Sequence, residues 1–232
     1  MLDRVREALF STLGERVDGA RVLDLFAGSG SLGLEALSRG AVMARMVEHH
    51  PRAYATLKEN VELLGVADRS LCARGNALTP DLWRPLHLPS EEPIEAEAVL
   101  AMRADVVFFD PPYAMLEDPL RRAALIRTVE TLANDVMTPE GVLVFHAPLR
   151  SIEKVYFERA RAVDLRAYGG SALCYIERLR EGDTVPEERG SARHRVLPGG
   201  VGYVHVRRDA GGGTSPRDGS SSPPARDSEP ER

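Results

Sequence analysis

The apolar run Val106-Val107-Phe108-Phe109 ends abruptly at Asp110-Pro111-Pro112-Tyr113. Two consecutive prolines lack amide donors and hold φ at about −65°, so a central strand cannot pass through them. The chain therefore carries a buried strand with a stiff corner at its carboxyl end. In an open parallel sheet, that end is where ligands bind. The corner would offer a carboxylate, free carbonyls and an aromatic ring, a set that suits a flat base bearing an amino group. Asp110 and the Pro111 carbonyl can accept the two hydrogens of an exocyclic NH2, with Pro112 stiffening the corner. Tyr113 can stack on the ring, a contact worth about 1–3 kcal/mol per base. An ordinary strand exit can use the same four letters, so the corner needs support from the rest of the chain.

That support begins with an alternation of periods. Strand patterns at Arg21–Phe26, Met43–Glu48, Ser70–Arg74, Asp105–Phe109 and Gly141–Phe145 alternate with helical ones. The helices are Ser31–Arg39, closed by Gly40; one opened by Pro51, with Tyr54, Leu57, Val61 and Leu64 on one face and Gly65 as its stop; and one started by Asp118 and Pro119, with Leu125, Val129, Leu132 and Val136 inside. A first amphipathic helix spans Asp3–Leu13, with Asp3 as its N-cap, and a last one is expected near Ile152–Arg161. Gly169-Gly170 then joins Ala162–Tyr168 to Ala172–Glu177 as a tight hairpin. The expected architecture is an α/β, Rossmann-like, mostly parallel seven-stranded sheet with an antiparallel last hairpin and helices on both faces.

One domain is expected over residues 1–180, with 78–103 as a peripheral insertion, acidic around Glu91–Glu97. Residues 181–232 are rich in Gly, Pro and Ser and are assigned as a largely disordered tail; Val201–Val206 alternates like a strand able to dock on the sheet edge. A formal charge of −5 over 232 residues argues against a protein that coats nucleic acid nonspecifically. Only Cys72 and Cys174 are cysteines, and no Cys/His cluster has ligand spacing, so no metal is expected. Charges at the N-terminus and the lack of a long apolar stretch point to a cytoplasmic protein without membrane partners.

The turn after the first strand carries Asp24-Leu25-Phe26-Ala27-Gly28-Ser29-Gly30. Gly28-Ser29-Gly30-Ser31-Leu32-Gly33 also fits the dinucleotide-binding pattern, with Glu48 at the spacing expected for a ribose contact. The pattern alone leaves a nicotinamide dinucleotide and S-adenosylmethionine both open. Asp24 favours the second, because a carboxylate in the turn repels a pyrophosphate but pairs with an ammonium group. On this reading Phe26, Gly28 and Gly30 shape the turn, with the two glycines letting the backbone approach the ligand. Glu48 accepts the ribose hydroxyls, and Asn76 contacts the adenine edge.

Taken together, Asp3-Arg4-Val5-Arg6-Glu7-Ala8-Leu9-Phe10, Val22-Leu23-Asp24-Leu25-Phe26-Ala27-Gly28-Ser29-Gly30, Leu34-Glu35-Ala36-Leu37-Ser38-Arg39-Gly40-Ala41 and Asp110-Pro111-Pro112-Tyr113 resemble the RsmD family over roughly residues 2–178. The resemblance implies a class I methyltransferase fold and transfer of a methyl group from S-adenosylmethionine to guanine N2 of 16S ribosomal RNA. The substrate would be the small ribosomal subunit or its assembly intermediate, and the enzyme a monomer. Arg4 and Arg6 become candidate RNA contacts. Family members usually carry a basic segment ahead of the Asp3–Phe10 stretch, so Met1 is expected to be an internal methionine. Asn76 stands where many members have Asp. The rival expectations are an amino-group methyltransferase acting on DNA adenine N6 or protein glutamine, an NAD-dependent oxidoreductase, and a catalytically weak binding relative.

Overall fold

The computed structural model describes residues 1–83, 103–152, 155, 157, 159–179, 194–196 and 203–208. The chain opens with α1 (Asp3–Leu13), then alternates β1 (Arg21–Leu25), α2 (Ser31–Ser38), β2 (Met43–Glu48), α3 (Pro51–Leu63) and β3 (Ser70–Arg74). After the insertion come β4 (Ala104–Phe109), the short α4 (Tyr113–Glu117), α5 (Pro119–Thr131), a π-turn, β5 (Met137–Pro148) and α6 (Leu149–Ile152). The hairpin strands β6 (Ala160–Tyr168) and β7 (Ser171–Arg178) follow, then β8 (His194–Val196) and β9 (Tyr203–Arg208).

The strands form one sheet in the order β3-β2-β1-β4-β5-β7-β6-β9-β8. β1 through β5 are mutually parallel, and β7 runs antiparallel to both β5 and β6. This is the expected seven-stranded Rossmann-like sheet with its reversed last hairpin. It reaches two strands further, because β9 pairs in parallel with β6 through Leu165↔Val206. That strand coincides with the alternating Val201–Val206 pattern in the tail, shifted by two residues, and β8 pairs antiparallel with it; apart from 194–196 and 203–208, the tail 181–232 lies outside the described residues.

Alternate strand residues feed two cores. Leu23, Leu25, Val107, Phe109, Leu143 and Phe145 pack on one face with Leu125 and Val129 of α5. Val22, Val106, Phe108, Val142 and Val144 pack on the other with Val5 and Leu9 of α1, Leu32 of α2 and Leu57 of α3. Phe10 meets Phe108 edge-on at 5.6 Å, which anchors α1 to the sheet. Asp118 caps α5 as expected, accepting the Arg121 amide at 2.8 Å. Asp3 is not a cap: Leu2 occupies that position, and Asp3 instead pairs with Arg6 at 3.1 Å.

The expected last helix is shorter and earlier, at Leu149–Ile152. Val155 and Phe157, two residues apart, are both buried, and β6 has begun by Ala160. The Val155 amide donates to the Ile152 carbonyl at 3.0 Å, a turn contact just past the helix end. Of the insertion, Pro80–Leu82 forms a single turn and Trp83 is buried, its indole N–H donating to the Ala77 carbonyl at 2.8 Å. Its remainder, 84–102, lies outside the described residues.

Candidate active site

Strand register determines what faces what at the carboxyl edge of the sheet. Leu25 is level with Val47 on one side and Phe109 on the other, and Phe109 is level with Phe145. The next residues, Phe26, Glu48, Asp110 and His146, therefore stand in a row. The row straddles the point where chain order reverses, between β1 and β4, and an open α/β sheet leaves a crevice at such a point. A cleft of about 760 Å³ occupies it, lined among others by Phe26, Glu48, Asn76, Asp110, Pro111, Pro112 and Tyr113. Two groups of expected site residues, from the first three strands and from the proline corner, thus share one cavity.

The β1–α2 turn is built by local hydrogen bonds. Phe26 adopts φ 71°, a left-handed conformation that costs a non-glycine residue about 1–3 kcal/mol. Its ring meets Phe109 edge-on at 5.3 Å. Glu48 closes the turn: Oε2 accepts the Gly28 amide at 2.7 Å and Oε1 the His50 amide at 2.6 Å. Each oxygen retains a lone pair for a hydroxyl donor. Asn76 Oδ1 accepts the Leu78 amide at 3.0 Å, a local turn contact that leaves its NH2 group available to a ligand.

Asp24 lies beneath the turn and does not line the cleft. Its Oδ2 accepts the Gly33 amide at 3.0 Å, while its Oδ1 is buried without a partner. Burial, reinforced by the charges of Asp110 and Glu48, pushes its carboxyl up to about 7. An orphaned buried acceptor of this kind fits a cationic group entering from the turn. The two glycines of the turn differ in their surroundings. A Cβ on Gly28 would meet open space, consistent with close approach of a ligand. On Gly30 it would sit 2.5 Å from Leu57 and 2.9 Å from Leu34, so the lack of a side chain here also serves the packing of α2 on α3 at φ +90°.

Across the cleft, Asp110 Oδ1 lies 2.7 Å from His146 Nδ1, and the Met1 nitrogen lies 3.6 Å from Oδ2. Tyr113 is 45% exposed, with its ring 6.0 Å from that of His146. Partial burial and the Asp110 charge push its phenol up. Arg4 and Arg6 do not line the cleft; Arg4 is exposed on α1, and Arg6 holds Asp3. Among the polar lining residues that sequence reasoning missed are His146, Arg121, and His49 and His50 next to Glu48. A histidine one step beyond the apolar run of β5, level with Asp110, was the available signal for the first. Among the described residues no group of three metal-binding side chains is clustered, and no helix is long and apolar enough to cross a membrane.

A family model described as "Conserved hypothetical protein 95" matches residues 1–177. The chain belongs to the RsmD family. This RsmD-family chain is 36% identical to Bacillus subtilis YlbH over 111 residues, 48% of the chain and 53% of that protein. It is 32% identical to the Escherichia coli ribosomal RNA small subunit methyltransferase D over 146 residues, 62% of the chain and 60% of that enzyme. The matches thus span less than two thirds of either relative. Among solved structures, Escherichia coli yhhF superposes with a TM-score of 0.58 at 26% identity, over 77% of this chain and 87% of that one. The class I methyltransferase architecture expected of the RsmD family is the one observed.

Proposed function

We propose that this protein transfers a methyl group from S-adenosylmethionine to the exocyclic N2 of a guanine in 16S ribosomal RNA, acting in the cytoplasm as a monomer on the small subunit or its assembly intermediate. One observation carries the reading: the Phe26–Glu48–Asn76 wall and the Asp110–Tyr113 corner open into the same cleft. The relative named ribosomal RNA small subunit methyltransferase D supports the substrate.

When bound, S-adenosylmethionine supplies an electrophilic methyl group on a sulfonium. Asp24 Oδ1 receives the ammonium end, Glu48 the ribose hydroxyls, and Asn76 the adenine edge. Guanine N2 is a weak nucleophile because its lone pair is delocalised into the ring. Asp110 and the Pro111 carbonyl accept its two hydrogens, which lets the nitrogen become tetrahedral and aims the lone pair at the methyl carbon; positioning does most of the work. The nitrogen sheds a proton once attack has made it acidic, with Asp110 beside it to take it. Tyr113 stacks on the base, which must leave its helical stack to enter, and Arg4 and Arg6 contact phosphates.

The test is incubation with a labelled methyl donor and small ribosomal subunits lacking the modification, followed by nucleoside analysis. Label in N2-methylguanosine supports the reading. Label only in DNA adenine or a protein glutamine favours the amino-group methyltransferase alternative, which the same corner would also serve.

A further inference from the structure

We propose that His146 is a positioning residue for methyl transfer, donating its Nδ1–H to Oδ1 of Asp110 so that Oδ2 alone meets the incoming amine. The inference rests on the reading of Asp110 given above.

A carboxylate oxygen and an imidazole nitrogen 2.7 Å apart need a hydrogen between them. With Asp110 ionised, that hydrogen belongs to Nδ1. In the neutral ring Nε2 is then bare, and it is in fact buried with no hydrogen-bond partner. An Nε2–H at the same place would be an unsatisfied buried donor facing no acceptor, so both nitrogens specify the same tautomer.

The ring itself is clamped. His146 is 3% exposed and sits inside β5, where Phe145 pairs with Phe109 on one side and His146 itself pairs with Leu173 on the other. Its direction is therefore set by the sheet and not by a mobile loop. Asp110, by contrast, follows the last residue of β4 and precedes two prolines that offer it no amide donor. Without His146 its carboxylate would keep only the longer contact of Oδ2 with the Met1 nitrogen at 3.6 Å. Held through Oδ1, it keeps Oδ2 turned into the cleft, where the Met1 nitrogen already lies 3.6 Å from it. A planar NH2 shared between Asp110 and the Pro111 carbonyl requires that one acceptor stay in place.

Three variants test this: His146→Phe, which keeps a ring without the N–H; His146→Asn, whose amide nitrogen can replace Nδ1; and Asp110→Ala. Folding is checked by S-adenosylmethionine calorimetry, and methyl transfer to unmodified small subunits is measured at saturating donor. His146→Phe is expected to lose about 100-fold in kcat with unchanged donor affinity, and His146→Asn to recover most of it. Wild-type kcat in His146→Phe, or no recovery in a folded His146→Asn, overturns the inference while leaving the proposed function intact. A fully active Asp110→Ala, or an inert wild type, would instead defeat the reading of the site. Independently of turnover, 15N NMR of histidine-labelled protein should find His146 protonated on Nδ1; a ring protonated only on Nε2 contradicts the proposal.

Discussion

Asp24 accepts the Gly33 amide on one oxygen at 3.0 Å and leaves the other buried and unpaired. Burial raises this carboxyl from 3.8 to about 7, so the folded state holds a proton there that the unfolded chain releases between those values. Stability of the ligand-free protein should therefore fall as pH rises from about 4 to about 7 and level off above. Asp105, held low by the Arg21 guanidinium and amide, acts in the opposite sense and only below 3.8. Thermal melting of wild type against Asp24→Asn isolates the effect: the difference between them should change across that window and be flat above it.

The same carboxylate links pH to the cofactor. An ammonium ligand favours ionised Asp24, so S-adenosylmethionine should bind more tightly as pH rises toward about 7, with release of a proton, and the gain should level off above it. Asp24→Ala should abolish measurable binding by calorimetry. Unchanged affinity would remove Asp24 from the site.

Asp110→Ala should bind S-adenosylmethionine normally and lose methyl transfer by at least about 100-fold. Separate calorimetric and single-turnover measurements check the two halves, which near-normal turnover would contradict.

Tyr113 is 45% exposed, so Tyr113→Ala should melt close to wild type. Loss of a stacking contact of about 1–3 kcal/mol predicts an RNA KM raised by about 5- to 150-fold with a smaller change in kcat.

The glycines of the first turn should separate stability from binding. Gly30→Ala forces a Cβ to 2.5 Å from Leu57 at φ +90° and should cost about 2–4 kcal/mol by urea denaturation. Gly28→Ala meets no neighbour, keeps only the backbone strain of about 1–2 kcal/mol, and should show its larger effect on cofactor affinity.

The succession of strands and helices and the proline corner were legible because they rest on local chemistry: strand runs punctuated by Gly40, Pro51, Gly65 and Pro111, each stopping or starting an element by its own dihedral limits. What pairs across strands was not. His146 lies beyond the apolar run Val142–Phe145, and only the register of β5 against β4 reveals that it faces Asp110. Gly30 matched a binding pattern, yet its space is taken by Leu57 from a helix 27 residues along the chain, a contact no local pattern encodes. The helix expected near Ile152–Arg161 ends at Ile152, where the Val155 amide closes a turn on the Ile152 carbonyl at 3.0 Å, and β6 begins at Ala160.

Whether donor and acceptor meet in the one cleft at the carboxyl edge of the sheet is read from a structure with S-adenosylhomocysteine bound. The sulfur is expected in the cleft above the β1–α2 turn, with the amino end toward Asp24, the ribose on Glu48, and room beside Asp110 for an amine about 3 Å from the transferred methyl carbon. Density for the ligand elsewhere, or a sulfur turned away from Asp110, would contradict it.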